Sequence, residues 1–323
     1  MDVPAGFEIR KPTRGDLEAV AAVLIADELD VAGQPVLGED FIREVWSRTG
    51  FDLAADAWVV TGHRGTIVAY GQVRREESNI VGSWGVVHPE HRGRGIGSAL
   101  FDRIEARASE LLTGVPSPRF RTSINAVDEA AAEMLRVRGQ RPARHFWHMQ
   151  IDLTRPIEPG PSPDGIEIGG IEPRDDLKAI HTVLDEAFAD DWGDYPGPFD
   201  RWADEQARSP SYDPTLWLLA RDGVLPVGVL TASASGDGGF VDWLAVLASR
   251  RGRGIGAALL RRSFASFAAR GVRRVIVNVD AQNPTGATGV YERVGMRVVN
   301  RWDLWERLSG NPRGSDSPSE DSS

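Results

Sequence analysis

The chain has 323 residues, 41% of them hydrophobic, a formal net charge of −10 and no cysteine. That is enough for two ordinary cores, and the acidic balance excludes general attraction to nucleic acid or an anionic membrane surface, since both need a basic face. Absence of cysteine removes disulfides, thiolate catalysis and Cys-ligated metal.

No run approaches the ~18 apolar residues that a membrane helix needs, and Met1-Asp2-Val3-Pro4 lacks the basic-then-apolar start of a secretion signal. The expected compartment is therefore the cytoplasm, with neither membrane nor nucleic acid as a partner. Residues 7–10 read as a strand. Thr13 caps a helix on which Leu17, Val20, Ala21, Leu24 and Ile25 follow the i, i+3, i+4, i+7, i+8 rule. Strands are expected at 58–61, 66–73 and 80–87, the last entering a glycine-rich loop and a helix that carries Ile96, Leu100 and Ile104. A strand at 120–124, a helix at 128–138 and a closing strand at 146–153 complete an N-terminal domain, residues 1–153.

Residues 154–165 contain Pro156, Pro159, Pro161 and Pro163 and read as a stiff linker. A second domain, 166–308, repeats the order: strand 166–168, helix 175–188, strands near 215–220, 225–233 and 240–247, helix 254–269, strand 273–279, helix 285–294 and strand 297–306. Residues 309–323, rich in Ser, Gly, Pro and Asp, read as a disordered tail.

The repeat is visible in the letters. Arg14 returns as Arg174, Trp58 as Trp217 and Gly93 as Gly252, at offsets of 159 or 160 residues. Arg92-Gly93-Arg94-Gly95-Ile96-Gly97 returns almost unchanged as Arg251-Gly252-Arg253-Gly254-Ile255-Gly256. Three alternating glycines let main-chain N–H groups crowd onto a ligand, and a helix starting there adds unpaired N–H groups and a positive dipole end. Such a loop suits phosphate. A Rossmann turn would follow the first strand and carry an acidic residue about 20 positions on, and a P-loop would close on Lys-Ser or Lys-Thr; neither pattern fits.

A strand, then Arg-x-x-Gly-x-Gly, then a helix, in this order of elements and in two copies, resembles the GNAT superfamily of acetyl-CoA-dependent N-acyltransferases. Asn283-Pro284-Thr285-Gly286-Ala287 and Tyr291-Glu292-Arg293-Val294-Gly295-Met296 are similar to the family's Asn-containing turn and Tyr-x-x-x-Gly ending. The resemblance covers residues 7–308. It implies an α/β protein of two tandem GNAT-like domains, each a mixed, mostly antiparallel twisted sheet flanked by helices. It further implies acetyl-CoA as co-substrate, a small-molecule amine as acceptor, no metal, and a monomer or homodimer.

By that resemblance, Ala245 and Val246 face the pantetheine arm or thioester oxygen, the N–H groups of Arg251 to Gly256 face the pyrophosphate, and Asn283 joins the cofactor site. The first-copy equivalents are Val86, Val87, Arg92, Gly93, Arg94, Gly95, Ile96 and Gly97. Tyr291, four before Gly295, matches the family's general acid; the position four before Gly139 is Leu135, which has no proton to give. The second domain is therefore expected to catalyse and the first to bind cofactor or support it.

Asp242, on the strand leading to the loop and sharing a face with Leu244 and Val246 by alternation, is the expected base. Asp191, Trp192 and Asp194, followed by Phe199 and Trp202, are the expected wall for an ammonium, because carboxylates and aromatic faces both hold cations. His145 and His148, three apart on a strand, point to opposite faces and read as structural. A narrower resemblance is to mycothiol synthases, also tandem with an unreactive first half, although no Glu lies between Gly236 and Ser249 where that activity is expected to need one. A non-catalytic acyl-CoA-binding module is the reading from a different class.

Overall fold

The computed structural model describes residues 3–33, 35, 37–155, 157–189, 196–235, 238–283 and 286–308. The expected tail at 309–323 lies outside them. In chain order the elements are β1 (Glu8–Arg10), α1 (Leu17–Ala32), α2 (Glu39–Ser47), α3 (Leu53–Asp56), β2 (Ala57–Thr61), β3 (Ile67–Glu77), β4 (Ile80–Val87), α4 (Ile96–Leu111), β5 (Arg119–Asn125), α5 (Glu129–Val137) and β6 (Arg141–Asp152). The second half runs β7 (Ile166–Gly170), α6 (Pro173–Phe188), α7 (Phe199–Arg208), β8 (Leu218–Asp222), β9 (Leu225–Ser235), β10 (Gly238–Val246), α8 (Ile255–Ala269), β11 (Arg274–Asp280), α9 (Ala287–Arg293) and β12 (Arg297–Leu308). Among the described residues no helix is long and apolar enough to cross a membrane.

Packing divides the chain into two compact units that differ from the contiguous halves at 1–153 and 166–308. The first comprises 1–31, 50–144 and 302–323, the second 32–49 and 145–301. In the first unit the strand order is β1-β2-β3-β4-β5-β12, antiparallel except for the parallel pair β4 and β5. In the second it is β7-β8-β9-β10-β11-β6, again with one parallel pair, β10 and β11. Both are mixed, mostly antiparallel sheets flanked by helices.

The last strand of each unit is written in the other half of the sequence. Trp302 to Leu308 of β12 pair with Asn125 to Arg119 of β5, and Phe146 to Asp152 of β6 pair with Asp280 to Arg274 of β11. Sequence pattern placed both strands correctly but assigned each to its own half, because alternation reports which face is buried and carries nothing about which neighbour supplies the ladder bonds.

Each sheet buries one face against the helix that follows the glycine loop. In the first unit Ile96, Leu100 and Ile104 of α4 pack on Val60, Val68, Val73 and Val81. In the second, Ile255, Leu259, Phe264 and Phe267 of α8 pack on Val229, Val241, Val275 and Val277, with Ile180 and Leu184 of α6 in the same core. The linker at 154–165 is held on the second unit: Arg262 donates to Ser162 Oγ at 3.0 Å and Arg253 to the Asp164 carbonyl at 2.9 Å.

A fragment 166–308 leaves β11 without its β6 partner and the core without Met149, which is fully buried there. Lost ladder bonds at about 1 kcal/mol each and a lost buried Met at about 2–5 kcal/mol together match the whole stability of an ordinary domain. The fragment should show no cooperative thermal transition by circular dichroism, whereas 1–308 should; a cooperative transition in the fragment would contradict the pairing.

Candidate functional site

In each unit the site begins where two parallel strands part. β10 pairs with β9 along its length but with β11 only from Gly238 to Val241; β4 pairs with β3 throughout and with β5 only as far as Trp84. Main-chain groups beyond those points face an open edge. The Leu247 N–H donates to the Val227 carbonyl at 3.0 Å, so alternation in the antiparallel ladder sends the Ala245 N–H to β9 and the Val246 N–H to the open edge. In the first unit the His88 N–H donates to the Val68 carbonyl at 2.8 Å, which in the same way commits Val86 to β3 and frees Val87. Of each expected pair, one N–H is spent in the sheet.

The glycine loop also differs in one donor from expectation. A tight turn uses the Arg251 N–H on the Ala248 carbonyl at 3.3 Å and the Arg92 N–H on the Pro89 carbonyl at 3.2 Å, so neither is available to a ligand. Beyond them the first helical bonds are Ala258 to Gly254 at 3.0 Å and Ala99 to Gly95 at 3.2 Å. The N–H groups of Gly252, Arg253, Gly254, Ile255, Gly256 and Ala257, and of Gly93 to Ser98, therefore have no acceptor among the described residues. Gly254 and Gly95, at φ of 81° and 82°, turn the chain from loop into helix in a conformation that strains any residue with a Cβ. Consecutive free donors at the start of a helix form an anion site.

Charge separates the two loops. Arg92 is bound by two carboxylates of α1, Asp27 and Asp30. Arg251 instead donates to the carbonyls of Val246 and Ala187, each at 3.1 Å; Ala187 stands where the repeat offset places Asp27. Arg250 and Arg253 share the single carboxylate Asp222, at 3.0 and 3.3 Å. Among the described residues the second loop thus has three guanidinium groups, of Arg250, Arg251 and Arg253, to one carboxylate, while Arg92 of the first is paired by its own helix.

Asp242 lies at a break in register: Val241 opposes Ala232, Trp243 opposes Thr231, and Asp242 is the extra residue of a β-bulge. Simple alternation with Leu244 and Val246 therefore fails at this residue, because a bulge re-aims the side chain. Its Oδ1 accepts from Ser233 Oγ at 2.9 Å. The residue is exposed, and crowding by the surrounding protein pushes its carboxyl up to about 7, against the Ser233 hydrogen bond and with help from the charge of Glu44. Tyr291 on α9 is 5% exposed, and burial pushes its phenol up; no hydrogen bond engages the hydroxyl among the described residues. Asn283 closes the turn before α9, donating its N–H to Asp280 at 3.1 Å; Pro284 and Thr285 lie outside the described residues.

The matching positions of the first unit are chemically silent. Ser83 stands at the offset of Asp242 and is bonded to the Arg121 carbonyl at 3.1 Å and Thr122 Oγ1 at 3.0 Å, with Gln140 also donating to Thr122. β4 and β5 stay paired two residues further than β10 and β11, closing over that position. Leu135, at the Tyr291 position, is fully buried.

Asp191, Trp192 and Asp194 lie outside the described residues. Of the aromatics beside them, Trp202 is 1% exposed and packs on His181 and Trp217, and Phe199 lies under Lys178; Trp202 serves the core rather than a wall for ammonium. His148 is buried, and desolvation pushes it down to about 4. His88, Glu90 and His91 bring ligand-type atoms within 4.8 Å of one another, but the His88 Nδ1 lone pair accepts from the Glu90 N–H at 3.3 Å as a cap.

A carboxyl whose folded value is raised binds its proton more tightly folded than unfolded, so it costs nothing at low pH and costs stability increasingly as pH rises toward 7. Asp242→Asn should therefore gain in melting temperature relative to wild type between pH 4 and pH 8, read by calorimetry; a difference that stays constant with pH contradicts the raised value.

Residues 177–296 match the model of the acetyltransferase (GNAT) family, and residues 54–139 match that of an acetyltransferase (GNAT) domain. The mycothiol acetyltransferase of Streptomyces avermitilis is 30% identical over 91% of this chain and 92% of its own length. That of Thermobispora bispora is 32% identical over 68% and 72%. A crystal structure of a GCN5-related N-acetyltransferase from Sphaerobacter thermophilus superposes with a TM-score of 0.81 at 31% identity, covering 95% of this chain and 96% of that one. A tandem GNAT protein of the clavulanic acid biosynthesis pathway shares the fold, with a TM-score of 0.67 at 16% identity over 95% of this chain and all of that one. With two family matches, one at each glycine loop, the chain belongs to the acetyl-CoA-using GNAT family as an N-acetyltransferase of two tandem domains.

Proposed function

We propose that the second unit transfers acetyl from acetyl-CoA to the primary amine of a small molecule by direct attack in a ternary complex, while the first unit supports it without turnover. The observation that carries this reading is the co-occurrence in one unit of free loop donors, surplus guanidinium charge, a carboxyl raised to about 7 and an unengaged phenol. The first unit has the free donors alone.

The N–H groups of Gly252 to Ala257 bind the pyrophosphate, with Arg250, Arg251 and Arg253 supplying its field. The Val246 N–H on the open edge aligns the thioester and stabilises the charge that develops on its carbonyl oxygen. Asp242 accepts the proton released as the amine forms the C–N bond, a role suited to a carboxyl near neutrality. As the C–S bond breaks, Tyr291 donates its hydroxyl proton toward the departing sulfur; burial keeps that phenol protonated beforehand.

A second reading narrows the acceptor to the cysteinyl amine of a mycothiol precursor. Near-complete two-domain coverage of the Streptomyces avermitilis relative favours it. Asp242 rather than Glu as base on β10 is the point at which this chain departs from expectation for that acceptor.

The test is free-thiol release from acetyl-CoA with a panel of primary amines that includes a cysteinyl amino sugar. Acceptor-dependent release is expected; its complete absence would favour a binding module. Tyr291→Phe and Asp242→Asn should each slow turnover about 10²–10⁴-fold, with the acid limb of the pH profile lost in the latter. Gly254→Val should abolish acetyl-CoA binding by calorimetry, and Gly95→Val should lower thermal stability more than rate. Equal rate losses at the two glycines contradict the division of labour.

A further inference from the structure

The helix α2 is encoded between α1 and β2, in the first half of the chain, yet packs in the second unit. Its apolar side, Ile42, Val45 and Trp46, is buried. Asp40 and Glu44, four residues apart, share another face. Asp40 accepts from Ser235 Oγ and is paired with Arg43. Glu44 Oε2 accepts from Ser209 Oγ at 2.8 Å and Ser211 Oγ at 2.9 Å, and no basic side chain neutralises it among the described residues.

β9 connects these acids to the base. Ser235, bonded to Asp40, and Ser233, bonded to Asp242, are two apart on one face of β9, roughly 7 Å along the strand. The acid-bearing face of α2 therefore lies along the hydroxyl row that holds Asp242. Of the charged groups around that carboxyl, Asp40 is offset by Arg43, and Glu44 is the one whose field acts on it.

We propose that Glu44 is a positioning residue of the second unit: its carboxylate, gripped by Ser209 and Ser211, orients the acceptor's ammonium toward Asp242. A like charge next to the base also opposes ionisation of Asp242, adding to the larger effect of desolvation. One carboxylate attracts the cation and the other takes its proton. This inference rests on Asp242 being the base.

The test uses the full chain with coenzyme A bound and follows the ¹³C carboxyl resonance of Asp242, assigned by its loss in Asp242→Asn. In Glu44→Gln the titration midpoint should fall by about half a pH unit, a threefold change in proton affinity. Affinity for n-propylammonium, the probe, should drop about fivefold, the size of one charge pair near 4 Å in water. Glu44→Asp, which keeps the charge, should restore most of both, and coenzyme A affinity should not change. A midpoint and propylammonium affinity unmoved in Glu44→Gln overturn the proposal. Should Glu44→Gln fail to fold, Ser209→Ala/Ser211→Ala must reproduce the weaker propylammonium binding, and its failure to do so also overturns it. A wild-type midpoint in the ordinary carboxylate range instead refutes Asp242 as base, while the propylammonium comparison still decides the role of Glu44.

Discussion

A strand that keeps one neighbour and loses the other exposes main-chain donors without losing its place in the core, and the whole site of this protein depends on that arrangement. β10 stays locked to β9 from Gly238 to Val246 while β11 diverges after Val241. An N–H on the widening edge costs free energy if buried without a partner, so the edge has to meet water or a ligand. The loop from Gly252 onward continues the same row of donors into the start of α8. Helix packing through Ile255 and Leu259 holds the row rigid, which is what allows main-chain groups to recognise a ligand without long side chains.

The two copies differ at three positions that bear on the proposed reaction. Where α6 has Ala187, α1 has Asp27, whose carboxylate pairs with Arg92, whereas among the described residues Arg251 donates to carbonyls alone. Serine in place of Asp242 lets β4 and β5 zip past the point where the other pair opens. Leucine in place of Tyr291 removes the proton donor and fills the space with core.

Much of this was legible in the letters. Gly252 and Gly254 take positive φ, 76° and 81°, as a turn of this kind requires, and the Tyr291 to Leu135 difference needed only the glycine four residues on in each copy, Gly295 and Gly139. The Asp242 bulge was not legible, because a register slip depends on what the neighbouring strand does. Four of the expected main-chain donors, at Ala245 and Arg251 and at Val86 and Arg92, were misassigned for a similar reason: motif matching identifies residues, whereas ladder parity and turn closure decide which amides are free. α2 was the larger omission. Glu39-Asp40 followed by Ile42, Val45 and Trp46 carries an acidic first turn and an i, i+3, i+4 stripe, a sufficient signal for a helix. Its membership in the second unit had no local signal, since any apolar stripe is satisfied by any core.

That membership gives the first half of the sequence a structural role in the second unit. The first half of the sequence supplies the second unit with β6, which completes its sheet against β11, and with α2, which carries Glu44. The second half returns β12 to complete the first sheet against β5. Under the proposed reaction, Leu135 and Ser83 answer only to packing in the first unit, while Met149 is held in the core of the second and Glu44 is bonded to its Ser209. A duplication whose halves exchange strands cannot shed either half, whichever unit carries the reaction.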